Sequence, residues 1–143
     1  MAWSRREAAR RKARDAADRL ASLVDPCCAF ETAVREAGWV VFTEIDHAAA
    51  ARAVGMALPS RTDALFGNPR TGTLAMAAHP TLAIDLPMRV LVWQDEQGRV
   101  FITRNKGTDI AQRVFARHGI AIPANGQAET EAFLDRLARK AAD

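Results

Sequence analysis

Asp46 and His47 stand side by side where an apolar run, Trp39 to Ile45, gives way to an alanine-rich stretch. An imidazole exchanges protons near neutral pH and ligates metals, and a neighbouring carboxylate can fix its tautomer. His47 is therefore the candidate catalytic acid/base, with Asp46 as its orienting partner. The same ring would be the axial ligand if the chain held haem. The competing reading makes Asp46 a helix N-cap and His47 a first-turn surface residue. Gly67 and Asn68 precede Pro69. As site residues, the Asn68 amide would orient a ligand and Gly67 would let it approach the backbone; more simply, the pair turns the chain. Asp85 lies between Ile84 and Leu86. A carboxylate in an apolar stretch needs a partner, and Arg89 and Arg104 are the expected ones. The result is either a structural ion pair or a carboxylate tuned for proton transfer. His79, before a proline, and His118, in the last turn of a helix where the dipole favours a cation, read as structural.

Other chemistries find little support. Cys27 and Cys28 are adjacent, too close for an unstrained disulfide, and read as small hydrophobes opening a helix. There is no CxxC and no histidine at zinc-finger spacing. Gly67 and Gly72 followed by Thr73 resemble a phosphate loop but lack its lysine.

The elements that must position these groups can be read from punctuation and periodicity. A basic helix is expected over 4–23, with Ser4 and Glu7 as a capping box and Asp25-Pro26 as its stop. A second helix follows over 27–37, with Phe30, Val34 and Ala37 on one face and Gly38 as its C-cap. Residues 39–45 read as a strand, 47–54 as a helix stopped at Gly55, and 63–66 as a short strand. A helix is expected over 70–79 with an undefined first turn, broken at His79-Pro80. Residues 84–87 read as an extended connector. Strands over 88–93 and 99–104 flank the turn Asp95 to Gly98 as a hairpin. Helices are expected over 109–117, capped by Thr108 and ended by Gly119, and over 128–141, with Phe133, Leu134 and Leu137 in its apolar stripe. This order predicts an α+β fold: a four-stranded antiparallel sheet with helices on one face. Trp39, Val41, Trp93 and Phe101 are more apolar than a solvated sheet face tolerates, so the sheet is expected to pair with a second copy.

At 143 residues the chain fits one domain with its own core, expected over 26–143 behind a basic segment, 1–25. Hydrophobic residues make up 49% and charged residues 26%, as in soluble globular chains. No apolar run nears the ~18 residues a membrane helix needs, and no secretory h-region opens the chain. A cytoplasmic chain without a membrane partner is expected. The net charge of +3 is uneven: residues 1–19 sum to +4 and the other 124 to −1. The domain body thus lacks the spread of Lys and Arg that grips nucleic acid, and no DNA partner is expected for it.

The stretch from Phe30 to Gly119 resembles a bacterial family, the domain of unknown function 302. The resemblance is carried by EIDH (Glu44–His47), FGNP (Phe66–Pro69), DLP (Asp85–Pro87) and the hairpin VLVWQDEQGRVFI that follows. It implies a compact fold similar to the TATA-binding-protein topology, usually homodimeric, and the fold likeness carries no DNA-binding inference. Many members carry cysteines near the N-P and L-P motifs. Phe66, Gly67 and Asp85 stand there in this chain, so the resemblance brings no thiol chemistry to it.

Three functions remain open from the residues. The first is a small-molecule- or cofactor-binding domain, or an enzyme, with an apolar pocket near His47, Asn68 and Asp85. The second is a haem or redox domain ligated by His47. The third is a non-catalytic interaction domain that recruits an acidic partner through its basic N-terminal helix.

Overall fold

The computed structural model describes residues 27–142. The expected basic helix and its capping box lie outside them. The first described helix, α1 (residues 27–36), buries Cys27, Phe30, Ala33 and Val34 along one stripe. It stops at Gly38, whose φ of 76° needs no side chain to be accommodated. The Trp39 N–H then reaches back to the Val34 carbonyl at 3.0 Å, which turns the chain into the sheet.

Four strands follow in simple antiparallel order: β1 (Val40–Asp46), β2 (Arg61–Gly67), β3 (Met88–Gln94) and β4 (Val100–Arg104). Alternation along each strand sends successive side chains to opposite faces. Ala64 and Phe66 of β2 and Val90 and Val92 of β3 are buried on the core face, with Val100 and Ile102 of β4 packed against that cluster. Phe66 meets Phe30 edge-on at 5.1 Å. The last helix, α5 (Ala124–Ala142), closes the core with Leu134, Leu137 and Ala141. Each fully buried Phe, Leu or Val contributes about 1.5–3 kcal/mol. Trp39 and Val41, expected on an uncovered face, instead pack against this core, and Trp39 lies 4.4 Å from the Phe133 ring. The other face keeps Trp93 stacked on Phe101 at 4.7 Å.

Two helices leave the strand ends. In α2 (His47–Ala53) the Asp46 carboxylate accepts from the Ala49 N–H at 2.9 Å. In α3 (Pro69–Ala78) the Asn68 side chain accepts from the Arg70 and Thr71 N–H groups, and Pro69 takes the first position, where its missing N–H costs nothing. The first turn of α3 is thereby defined. Asp85 to Pro87 is not a plain extended connector: a 3-10 helix (Pro80–Ile84) leads into it, and the Leu86–Pro87 peptide is cis. The helix expected over 109–117, α4, opens at Gly107–Asp109, passes through a π segment (Ile110–Phe115) and ends in a 3-10 turn (Ala116–His118).

Candidate functional site

The residue after Val41 is squeezed out of register. Val41 pairs with Phe66 and Thr43 with Leu65, so Phe42 is a bulge with no partner of its own. Bulges re-aim side chains, and Phe42 is 53% exposed. Its ring forms one wall of a pocket of about 560 Å³. Thr43, Leu65 and Gly67 bring the sheet to this pocket; Thr71, Gly72, Ala75 and Met76 bring α3; Leu86, Pro87 and Met88 bring the cis-proline segment; Trp39 and Phe115 complete it. Its volume lies within the ~300–1,000 Å³ usual for small-molecule sites. The side-chain polar groups among its lining residues are the Trp39 indole N–H, the Thr43 and Thr71 hydroxyls and the Asn68 amide, and the Asn68 oxygen is already held by two backbone N–H groups. Such a wall suits an apolar ligand with at most one or two hydrogen-bonding atoms.

A smaller cavity of about 260 Å³ adjoins it, sharing Leu65, Leu86, Pro87, Met88 and Phe115. Asp85, Arg89 and Arg104 stand on its wall. The expected pairing of these three does not form. Asp85 accepts instead from Arg117 Nε at 2.6 Å, from the Arg117 terminal nitrogen, and from His118 Nε2 at 2.5 Å. Arg104 turns to Glu131 at 2.8 Å and Asp135 at 3.4 Å on α5. Arg89 points to the opposite sheet face, 3.8 Å from Asp63. Partners more than thirty residues apart, as Asp85 and His118 are, leave no mark in local spacing.

The expected site residues divide between the two ends of the sheet. Antiparallel pairing puts Gly67 opposite Val40 but Asp46 opposite Thr62. Asn68 and Gly67 are at the pocket, whereas Asp46 and His47 are at the far end and line neither cavity. His47 Nε2 lies 3.3 Å from Asp63 Oδ2. Asp63, and not Asp46, is thus the carboxylate that orients the ring, because Asp46 is committed to capping α2 and to Arg52. Neither pocket offers His47 to a haem, and among the described residues no cluster of three metal-ligating side chains occurs. Burial pushes the Cys27 thiol up to about 11, with the charges of Glu44, Cys28 and Asp46 adding to it, so the buried cysteine stays a protonated, inert thiol. Phe42, Met76, Met88 and Phe115, the main apolar walls, carried no polar group to mark them in the sequence.

Among curated proteins, the chain is 43% identical over 76 residues to "Fluoride-specific ion channel FluC 1" of Brucella suis biovar 1 (strain 1330), a stretch covering 53% of this chain and 30% of that protein. "Fluoride-specific ion channel FluC 2" of Brucella melitensis biotype 1 matches at the same identity over 28% of its length. The chain spans under a third of these relatives. A crystal structure of an uncharacterized conserved DUF302 protein from Bacillus stearothermophilus shares the fold, with a TM-score of 0.66 over 83% of this chain and 90% of that one, at 12% identity. The family model described as "Domain of unknown function DUF302" matches residues 21–141, and the chain belongs to that family.

Proposed function

We propose that this domain binds a small, predominantly apolar molecule in the pocket between α3 and the Gly67 end of the sheet. The observation that carries the reading is the wall itself: about 560 Å³ lined in the main by Trp39, Phe42, Leu65, Met76, Leu86, Met88 and Phe115. Space of this size with so few polar groups favours an aliphatic or aromatic ligand over a sugar or nucleotide. The test is a titration with N-phenyl-1-naphthylamine, whose emission rises on leaving water. Saturable binding is expected in the natural chain and loss of it in Gly72→Leu. Gly72 lines the pocket with nothing within 4 Å of an added Cβ, and leucine favours helix over glycine by roughly 1 kcal/mol, so the variant fills the space without weakening α3. Equal binding by both chains would overturn the reading.

The identity to proteins named as fluoride channels favours a second reading, in which the domain is an accessory module to fluoride transport. The pore is not assigned to it: among the described residues no helix is long and apolar enough to cross a membrane. Removing the chain from its native cell should lower fluoride tolerance; unchanged tolerance would sink this reading.

The sheet face away from the core supports a homodimer. Ile45 is 40% and Phe101 37% exposed there, beside Trp93. Sedimentation at micromolar concentration tests it, and a monomer would contradict it.

A further inference from the structure

We infer that Thr81, His118 and Asp85 form a nucleophile–base relay, with the Thr81 hydroxyl as the acceptor of an acyl group bearing an apolar tail. Thr81 Oγ1 lies 2.9 Å from His118 Nδ1, and His118 Nε2 lies 2.5 Å from Asp85 Oδ2. The His118 side chain is 7% exposed and that of Asp85 14%, whereas Thr81 itself is exposed. The base is thus shielded, and the residue that carries the hydroxyl lies at the surface. Two elements distant in sequence hold the three groups: the 3-10 helix with Asp85 as its C-cap, and the turn that ends α4.

The proton positions follow from the donors available. A carboxylate facing a guanidinium only accepts hydrogen bonds, and Arg117 donates to both Asp85 oxygens. His118 Nε2 must then carry a hydrogen. In the neutral form of the ring, the form a general base requires, Nδ1 is then the acceptor and the Thr81 O–H donates to it. This is the arrangement a general base needs beside a nucleophile.

The apolar tail is argued from Ile84. Residues three apart eclipse in a 3-10 helix, so Ile84 stands on the same face as Thr81, and it is 84% exposed. It offers an apolar seat beside the hydroxyl. In the reaction, Thr81 Oγ1 bonds to the carbonyl carbon of an ester while His118 Nδ1 takes the hydroxyl proton. The bond to the leaving alcohol breaks, and His118 returns the proton to that alcohol. Water then attacks the threonyl ester, again losing a proton to His118, and the carboxylic acid leaves as Thr81 recovers its hydrogen.

The test incubates the full chain with p-nitrophenyl octanoate, follows p-nitrophenolate release, and locates the octanoyl group by peptide mass spectrometry. The expected result is one octanoyl group on Thr81, retained in Thr81→Ser and absent in Thr81→Val. His118→Gln should slow acylation about 100-fold or more, the low end of what a general base supplies. No adduct on Thr81 in the natural chain, release unchanged by Thr81→Val, or an undiminished rate in His118→Gln would each overturn the relay. Should His118→Gln fail to fold, the Thr81→Ser and Thr81→Val pair decides alone, since it alters only an exposed side chain.

Discussion

A Cβ on Gly67 would stand 3.3 Å from Phe42 Cε2, so the glycine makes room for the bulged ring that walls the pocket. Gly67→Val should push that ring and narrow the space. The expected outcome is at least a tenfold loss of N-phenyl-1-naphthylamine affinity. The melting temperature should stay close to that of the natural chain, since Phe42 is half exposed and valine suits a strand. Undiminished affinity would place the probe elsewhere.

Gly107 makes a different close approach. A Cβ there would stand 2.6 Å from the Gln127 carbonyl oxygen and 2.8 Å from the Glu131 nitrogen, both backbone atoms of α5. Backbone cannot swing aside as a side chain can. Gly107→Ala should therefore separate α4 from α5 and destabilise the domain by about 1–3 kcal/mol, read by urea denaturation. Unchanged stability would show that the two helices can part without cost.

Glu131 ties the same junction. It accepts from Arg104 at 2.8 Å and from the Gly107 N–H at 2.6 Å. The Arg104 hydrogen bond, then the Gly107 one, hold its carboxyl below the usual glutamate range, with burial opposing. A carboxylate depressed on folding stabilises the folded state above its unfolded value and loses that contribution as pH falls through the folded value. Stability should thus be flat above the ordinary glutamate range and decline below it. In Glu131→Gln the decline should be shallower from a lower plateau, with a loss of about 1 kcal/mol or less, since the pair is part-exposed. Parallel acid profiles for both chains would contradict this.

If the outer sheet face joins two copies, a charge at its apolar surface should separate them. Ile45→Glu is the suitable change, because Ile45 is 40% exposed and lies outside the core cluster. Sedimentation should give a dimer for the natural chain and a monomer with near-natural stability for the variant. A dimer in both would move the interface elsewhere.

Much of this architecture is legible from local signals. The hairpin announces itself through β-branched and aromatic runs around Asp95 to Gly98, and Asn68-Pro69 carries both a cap and a first helical residue. What local reasoning misses is set by register and by distance along the chain. The bulge at Phe42 depends on how β1 meets β2. The separation of His47 from Asn68 follows from antiparallel pairing, which sends the ends of successive strands to opposite rims. Asp85 pairs with Arg117 and His118 because the end of α4 folds onto the segment before β3, a contact between residues thirty-two and thirty-three positions apart. Arg89 lies only four positions on from Asp85, but alternation along β3 points it to the other face.

The central claim is that the pocket beside Trp39 takes an apolar molecule, and Trp39 can report it. With Trp3 and Trp93 replaced by phenylalanine, Trp39 is the sole indole. Bromine quenches indole emission only near contact, so the measurement is a titration with 11-bromoundecanol. The account predicts saturable quenching at one equivalent per chain, abolished by Gly72→Leu. Absence of quenching, or quenching of equal depth in the Gly72→Leu chain, would contradict it.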